Sequence, residues 1–130
     1  WGLDATGNWG TFKQDNNGDG TWELNQTRTS NVVNEITAIS QVPAPPPPWW
    51  ATPAYNAVGN MTSIPRPADP TLSFVATYDA WNRLVKLTDG TNTVAEYVYD
   101  GANRRAVKRS FTAGTLSEIR HFYYSEGWQV

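Results

Sequence analysis

Oxygen-bearing side chains carry most of the chemistry that this 130-residue sequence could perform. In QDNNGDGTWE, Asp15, Asn17, Asp19, Gly20 and Glu23 follow the opening spacing of an EF-type calcium loop, where oxygens at alternate positions wrap a hard cation. The carboxylate that closes such a coordination shell is missing, because Gln26 stands in its place. The flanks WGTFKQ and TWELNQ alternate as strands do and carry no helical pattern. The stretch reads as a polar hairpin tip, with Asp15, Asn17, Asp19 and Glu23 the residues that would hold calcium; no other cofactor is indicated. His121 is the sole histidine and lies in the strand-like IRHFYY, where a surface or structural role outweighs that of a base or ligand. No nucleophile elbow, HExxH pair, Walker loop or dinucleotide fingerprint occurs, and the absence of cysteine removes thiolate sites and disulfides alike.

The other carboxylates recur rather than converge. TYDAWNRLVKL (residues 77–87) places Asp79 after a tyrosine and Asn82 three residues later, then alternates as Leu84-Val85-Lys86-Leu87. The same grammar returns around Asp100 with Asn103, Asn56 with Gly59, Asp4 with Gly7 and, more weakly, Asn31 with Asn34. The spacings between the Asp/Asn positions are 27, 25, 23 and 21 residues. An Asp or Asn side chain accepts from backbone N–H groups two or more residues on, and Gly or Asn then tolerates positive φ. These ten residues are therefore assigned as turn formers. A carboxylate needed once per repeat is a poor candidate for a catalytic acid, and no enzyme is expected.

The elements that carry these turns are short strands. Each repeat has room for two strands and two turns, as in Leu84–Leu87, the turn Thr88-Asp89-Gly90-Thr91-Asn92, and Thr93–Tyr99. Repeats start near residues 3, 30, 55, 78 and 99, with a partial one near 122–130, and together make one array over residues 1–130. Seven Trp, six Tyr and four Phe, with ten Gly and nine Pro, fit an all-β chain of half-buried aromatic faces. Net charge is −2, and seven of ten basic residues fall between Arg83 and Arg120, interleaved with acids. That mixture describes solvated strand faces and gives no nucleic-acid footprint. No apolar run is long enough to span a membrane.

The segment TYDAWNRLVKLTDG…VAEYVYDGANRRAVKR resembles the YD-repeat, or RHS-repeat, family. The likeness is strongest over 77–109, good over 54–64 and 3–12, and looser between. It implies tandem β-hairpins in a continuous, twisted or spiralling antiparallel sheet, and a secreted or cell-surface home, in bacteria as part of a toxin-wrapping shell. Animal relatives serve adhesion.

All nine prolines lie between Pro43 and Pro70. Since Asn31 to Asn56 is no longer than an ordinary repeat, VPAPPPPWWATP replaces a strand rather than lengthening a linker, and a polyproline-II segment is expected over 43–53. IPRPADP takes the corresponding half of the next repeat. Both chain ends are aromatic and strand-like, as in a piece of a longer array. The leading functional expectation is an extracellular structural scaffold that pairs with further copies of itself or further repeats and can extend into a filament. An arc of a toxin-holding cocoon and a glycan-binding adhesion surface built on Trp49 and Trp50 are the alternatives.

Overall fold

The computed structural model describes residues 2–41, 50–125 and 127. It contains strands and turns and, among the described residues, no helix. The chain divides into two compact units, residues 1–73 and 74–130.

In the first unit, β1 (Gly2–Leu3), β2 (Trp9–Gln14), β3 (Leu24–Ser30) and β4 (Ile36–Gln41) form a four-stranded antiparallel sheet in sequence order. β5 (Ala54–Tyr55) and β6 (Met61–Pro65) form a hairpin. Among the described residues no ladder joins β4 to β5. In the second unit β7 (Ser73–Tyr78), β8 (Leu84–Thr88), β9 (Thr93–Tyr99), β10 (Arg105–Thr112) and β11 (Thr115–His121) make an antiparallel meander, each strand paired with the next. Short β-branched and aromatic runs separated by Gly, Asn and Asp favour this local pairing over any long-range crossover.

Two details depart from the sequence reading. TWELNQ does not enter its strand at Thr21: Asp19 Oδ1 accepts from the Thr21 amide at 2.7 Å, Glu23 Oε2 accepts from the Asn16 amide at 2.7 Å, and pairing starts only at Leu24. These side-chain bonds take the groups that a ladder would have used. IPRPADP yields the end of β6 and a turn, closed by the Arg66 amide on Leu72 O and the Leu72 amide on Asp69 O, so the second strand of that repeat is β7. The Pro-rich assignment over 43–53 falls largely outside the described residues. At its end, the Trp50 indole donates to Gln41 Oε1 at 3.0 Å and the Ala51 amide donates to Pro70 O at 2.7 Å.

Little side-chain surface is fully enclosed. Ala76, Ala95 and Pro53 are the buried apolar residues among those described, and Gln26, 2% exposed, is the buried polar one. Gln26 Oε1 accepts from Arg28 at 3.0 Å, and the Arg28 guanidinium lies over the rings of Trp9 and Phe12, which stack 5.9 Å apart. The sheet faces are thus covered by flat aromatic and guanidinium planes rather than by a thick aliphatic core.

The two-residue loop between β10 and β11 offers a clean test. Ala113 and Gly114 both have positive φ, 49° and 78°, the requirement of a type I′ hairpin turn. Alanine is a poor choice there, because its Cβ crowds the backbone in the left-handed region. Ala113→Asn is expected to stabilise the protein by roughly 0.5–1 kcal/mol, read as a higher urea midpoint at unchanged slope.

Candidate functional site

The repeated Asp/Asn turn is the feature built with most care. In all five copies the backbone amides two and four residues after the first residue donate to its Oδ1, at 2.8–3.2 Å. The first-position amide donates to the carbonyl of position 5, and the position-4 amide donates back to the carbonyl of position 1. Position 4 has positive φ throughout: Gly7 86°, Asn34 65°, Gly59 84°, Asn82 62° and Asn103 64°. Asp4, Asn31, Asn56, Asp79 and Asp100 each hold position 1, so one carboxylate or amide oxygen organises each loop.

The register around each turn is equally uniform. The residue before position 1 pairs with the residue after position 5, and one residue is then skipped before pairing resumes. Thus Leu3 faces Trp9, Ser30 faces Ile36, Tyr55 faces Met61, Tyr78 faces Leu84 and Tyr99 faces Arg105, with Gly10, Thr37, Thr62, Val85 and Ala106 bulged out. A bulge disrupts the ladder locally and bends the strand. The tyrosine that opens the next repeat reaches the backbone beside it: Tyr99 Oη donates to Leu84 O and Tyr124 Oη to Arg105 O, both at 2.9 Å, while Tyr55 Oη accepts from the Ile36 amide at 3.0 Å. Tyr124 therefore occupies the place of Tyr99 one repeat further on.

Position 5, which the sequence reading passed over, completes the loop. Arg83 Nε donates to Asp79 Oδ2 at 2.7 Å and Arg104 Nε to Asp100 Oδ2 at 2.8 Å. Asn8 Nδ2 donates to Asp4 Oδ2 at 3.0 Å, and in the second turn the polarity is reversed, with Asn31 Nδ2 donating to Glu35 Oε2 at 2.7 Å. The signal was present as complementary chemistry four residues after each Asp or Asn. Position 5 also links successive turns, since Asn8 Nδ2 donates to Asn34 Oδ1 and Arg83 NH1 to Asn103 Oδ1, both at 2.9 Å. The Arg83 guanidinium lies 5.1 Å from the Trp81 ring centre and 4.8 Å from that of Tyr99, and Arg104 lies 5.1 Å from Tyr124.

These contacts hold the acids ionised. The Asn8 and Thr6 side chains, joined by the Asn8 amide, bring the Asp4 carboxyl from its ordinary 3.8 to about 2. The Arg104 amide, and then its guanidinium, depress Asp100 against the opposing effect of burial. Burial pushes Asp79 up most, but the Arg83 donors and the Trp81 amide outweigh it and leave the group lowered. Each donor favours the charged form. The bonded acids sit at loop corners, an arrangement that suits turn closure.

Asp15, Asp19 and Glu23 do gather, with carboxylate oxygens within 4.8 Å of one another. The oxygens are already taken by donors: Asp15 accepts from the Gly18 and Gly20 amides at 2.6 and 2.9 Å, and Asp19 from the Thr21 amide and Asn17 Nδ2 at 2.7 and 3.0 Å. Those bonds lower the carboxyls of Asp15, through the Gly20 amide first, and of Asp19, through the Thr21 amide first. A pocket lined by N–H donors turns the positive ends of its dipoles toward any ion. Calcium at millimolar concentration is expected to leave the melting temperature unchanged to within about 1 °C; a saturable rise would make the cluster an ion site. His121 is exposed at the end of β11, opposite Val107.

Glu96 lies between Lys86 and Arg109 on the neighbouring strands, at 3.9 and 3.8 Å, as a half-exposed cross-strand charge trio of modest worth. No curated protein matches the chain. Residues 78–116 match the family model described as RHS Repeat, a stretch that runs from Tyr78 at the end of β7 to Leu116 in β11 and includes both Arg-closed turns. Over that segment the chain is thus similar to the RHS repeat, and both Arg-closed turns lie within the match.

Proposed function

We propose that this protein is a non-enzymatic, extracellular structural scaffold whose repeats associate edge to edge, with further repeats or with further copies of the chain. The observation that carries this reading is the exposed last strand of the second unit. Every residue of β11 is exposed, including Leu116 and Ile119 at 47% and 49%, and among the described residues β11 pairs with β10 alone. Val75, Trp81 and Val98 are exposed as well. A strand with an open row of N–H and C=O groups and apolar side chains is a template for another strand. A sheet that buries two alanines and little else needs a second layer or neighbour to become stable in water. The scaffold role agrees with the RHS repeat, a structural unit.

Negative-stain microscopy of the purified chain tests it. Filaments or defined multi-copy assemblies support the proposal, and a compact, monodisperse monomer at micromolar concentration overturns it. The RHS match favours one second reading, in which the array is an arc of a shell around a secreted toxin. A gene that encodes dozens of such repeats followed by a variable C-terminal domain would select that reading over the filament.

A further inference from the structure

The repeat uses one small constellation twice to hold a guanidinium. Asp79 Oδ2 takes Arg83 through Nε and NH2, both at 2.7 Å, and the Tyr99 ring lies 4.8 Å from the cation. Asp100 Oδ2 takes Arg104 at 2.8 Å, with the Tyr124 ring at 5.1 Å. Carboxylate, guanidinium and tyrosine belong to one turn and to the tyrosine that opens the following repeat.

In the first unit the same three places are filled differently. Asn31 stands where Asp79 and Asp100 stand, Glu35 where Arg83 and Arg104 stand, and Tyr55 where Tyr99 and Tyr124 stand. Tyr55 reaches the corresponding residue, Ile36, but accepts from its amide instead of donating to its carbonyl. The carboxylate has moved to the arginine's position and the arginine has gone. Glu35 Oε2 is taken by Asn31 Nδ2 at 2.7 Å, whereas Oε1 has no hydrogen-bond partner among the described residues. The next turn supplies none, because its position 4 is Gly59, where the fifth turn has Asn103. A Cβ built on Gly59 would lie 3.7 Å from Glu35 Oε1. What remains is an open pocket of about 440 Å³ with Glu35, Tyr55 and Gly59 in its lining and Val33 and Val58, each 66% exposed, among its walls. The arginines of this unit are committed elsewhere, Arg28 to Gln26 and Arg66 to the Ser73 carbonyl.

We propose that this pocket binds an arginine side chain presented by a partner polypeptide. The guanidinium pairs with Glu35 Oε1 and lies against the Tyr55 ring, and its aliphatic stem and flanking residues rest on Val33 and Val58. A carboxylate and an aromatic face together select a planar cation, as the chain's own two copies of the arrangement do. The exposed valines, left out of any core, give the residues beside the arginine apolar surface to cover and so favour a peptide over a free guanidino compound.

The test is a titration of isotopically labelled protein with a short peptide that carries one central arginine, against the same peptide with citrulline, its neutral isostere. Amide shifts at Glu35, Tyr55 and Gly59 are expected to move saturably with the arginine peptide, and the citrulline peptide to bind roughly tenfold or more weakly. Glu35→Gln is expected to cost about the same factor. Gly59→Asn is a second probe that the turn accommodates, since Asn34, Asn82 and Asn103 adopt the same position at φ 62–65°. Its amide would reach Glu35 Oε1, close the pocket and abolish binding without loss of thermal stability. Equal binding of both peptides, or binding unchanged in Glu35→Gln and Gly59→Asn, overturns the proposal. Binding of free argininamide as tightly as of the peptide would overturn the assignment to a polypeptide partner.

Discussion

Asp100→Ala is expected to lower the melting temperature by roughly 5 °C or more, and Asp79→Ala to do nearly the same. The substitution strips one loop of the acceptor for two amides, those of Ala102 and Arg104, and of the anion that pairs with the Arg104 guanidinium. The Arg104 amide is partly shielded from water, and a left-over donor there is costly. Asp100→Asn should recover most of the loss, because Asn31 and Asn56 organise their turns through the same Oδ1 bonds without a charge. Thermal melts of the three variants, with unchanged far-ultraviolet spectra below the transition, decide the matter. A drop as large for asparagine as for alanine would mean that the charge, and not the acceptor oxygen, holds the loop.

The same bonds make the fold acid-sensitive in a defined window. The carboxyls of Asp4, Asp79 and Asp100 lie below their ordinary values in the folded chain, Asp4 at about 2 against 3.8. A group depressed by folding stabilises the native state above its unfolded value and loses that contribution as pH falls through the folded one. Stability is therefore expected to be level above about pH 5 and to fall between about pH 4 and pH 2. The doubly substituted Asp79→Asn, Asp100→Asn protein should show a shallower acid limb, measured as melting temperature against pH.

Tyr99→Ala is the second large effect. Its ring lies under the Arg83 guanidinium and its hydroxyl satisfies the Leu84 carbonyl beside a bulge. Burial lifts the hydroxyl above its ordinary pKa while the Arg105 charge opposes, so the group stays a neutral donor. Truncation should cost on the order of 2–3 kcal/mol, at the low end for an aromatic because the side chain is only half-buried. Tyr99→Phe removes the single hydrogen bond and should cost about 1 kcal/mol. Urea unfolding of both variants gives the two numbers, and near-equal losses would place the stabilisation in the hydroxyl and not in the ring.

The repeat was legible because its essential residues are local. Asp or Asn with Gly or Asn three places later is a turn specified within five residues, and Asp79, Asn82, Asp100 and Asn103 announce it without reference to the rest of the chain. The hairpin tip over Asp15 to Glu23 was legible for the same reason, though the start of β3 was not: propensity alone would have run the strand through Thr21, and side-chain bonds across the loop shortened it. The strand after IPRPADP was not legible, because three prolines are poor strand formers and the turn that Asp69 and Leu72 close leaves the pairing to β7.

What the sequence by itself determined is the repeated unit: an all-β chain, the five turns and the residue at the head of each. Only the tertiary structure decided how successive repeats touch. The reach of Tyr99 to Leu84 and of Tyr124 to Arg105, and the bond from Arg83 to Asn103, all join residues that lie 15 to 20 positions apart. Turn chemistry is set by neighbours along the chain, but register is set by which side chains can meet across it, and a single skipped residue changes every such meeting. For that reason Glu35 reads in the sequence as one more surface acid, and only the fold places it, with Tyr55, where an arginine stands in the fourth and fifth turns.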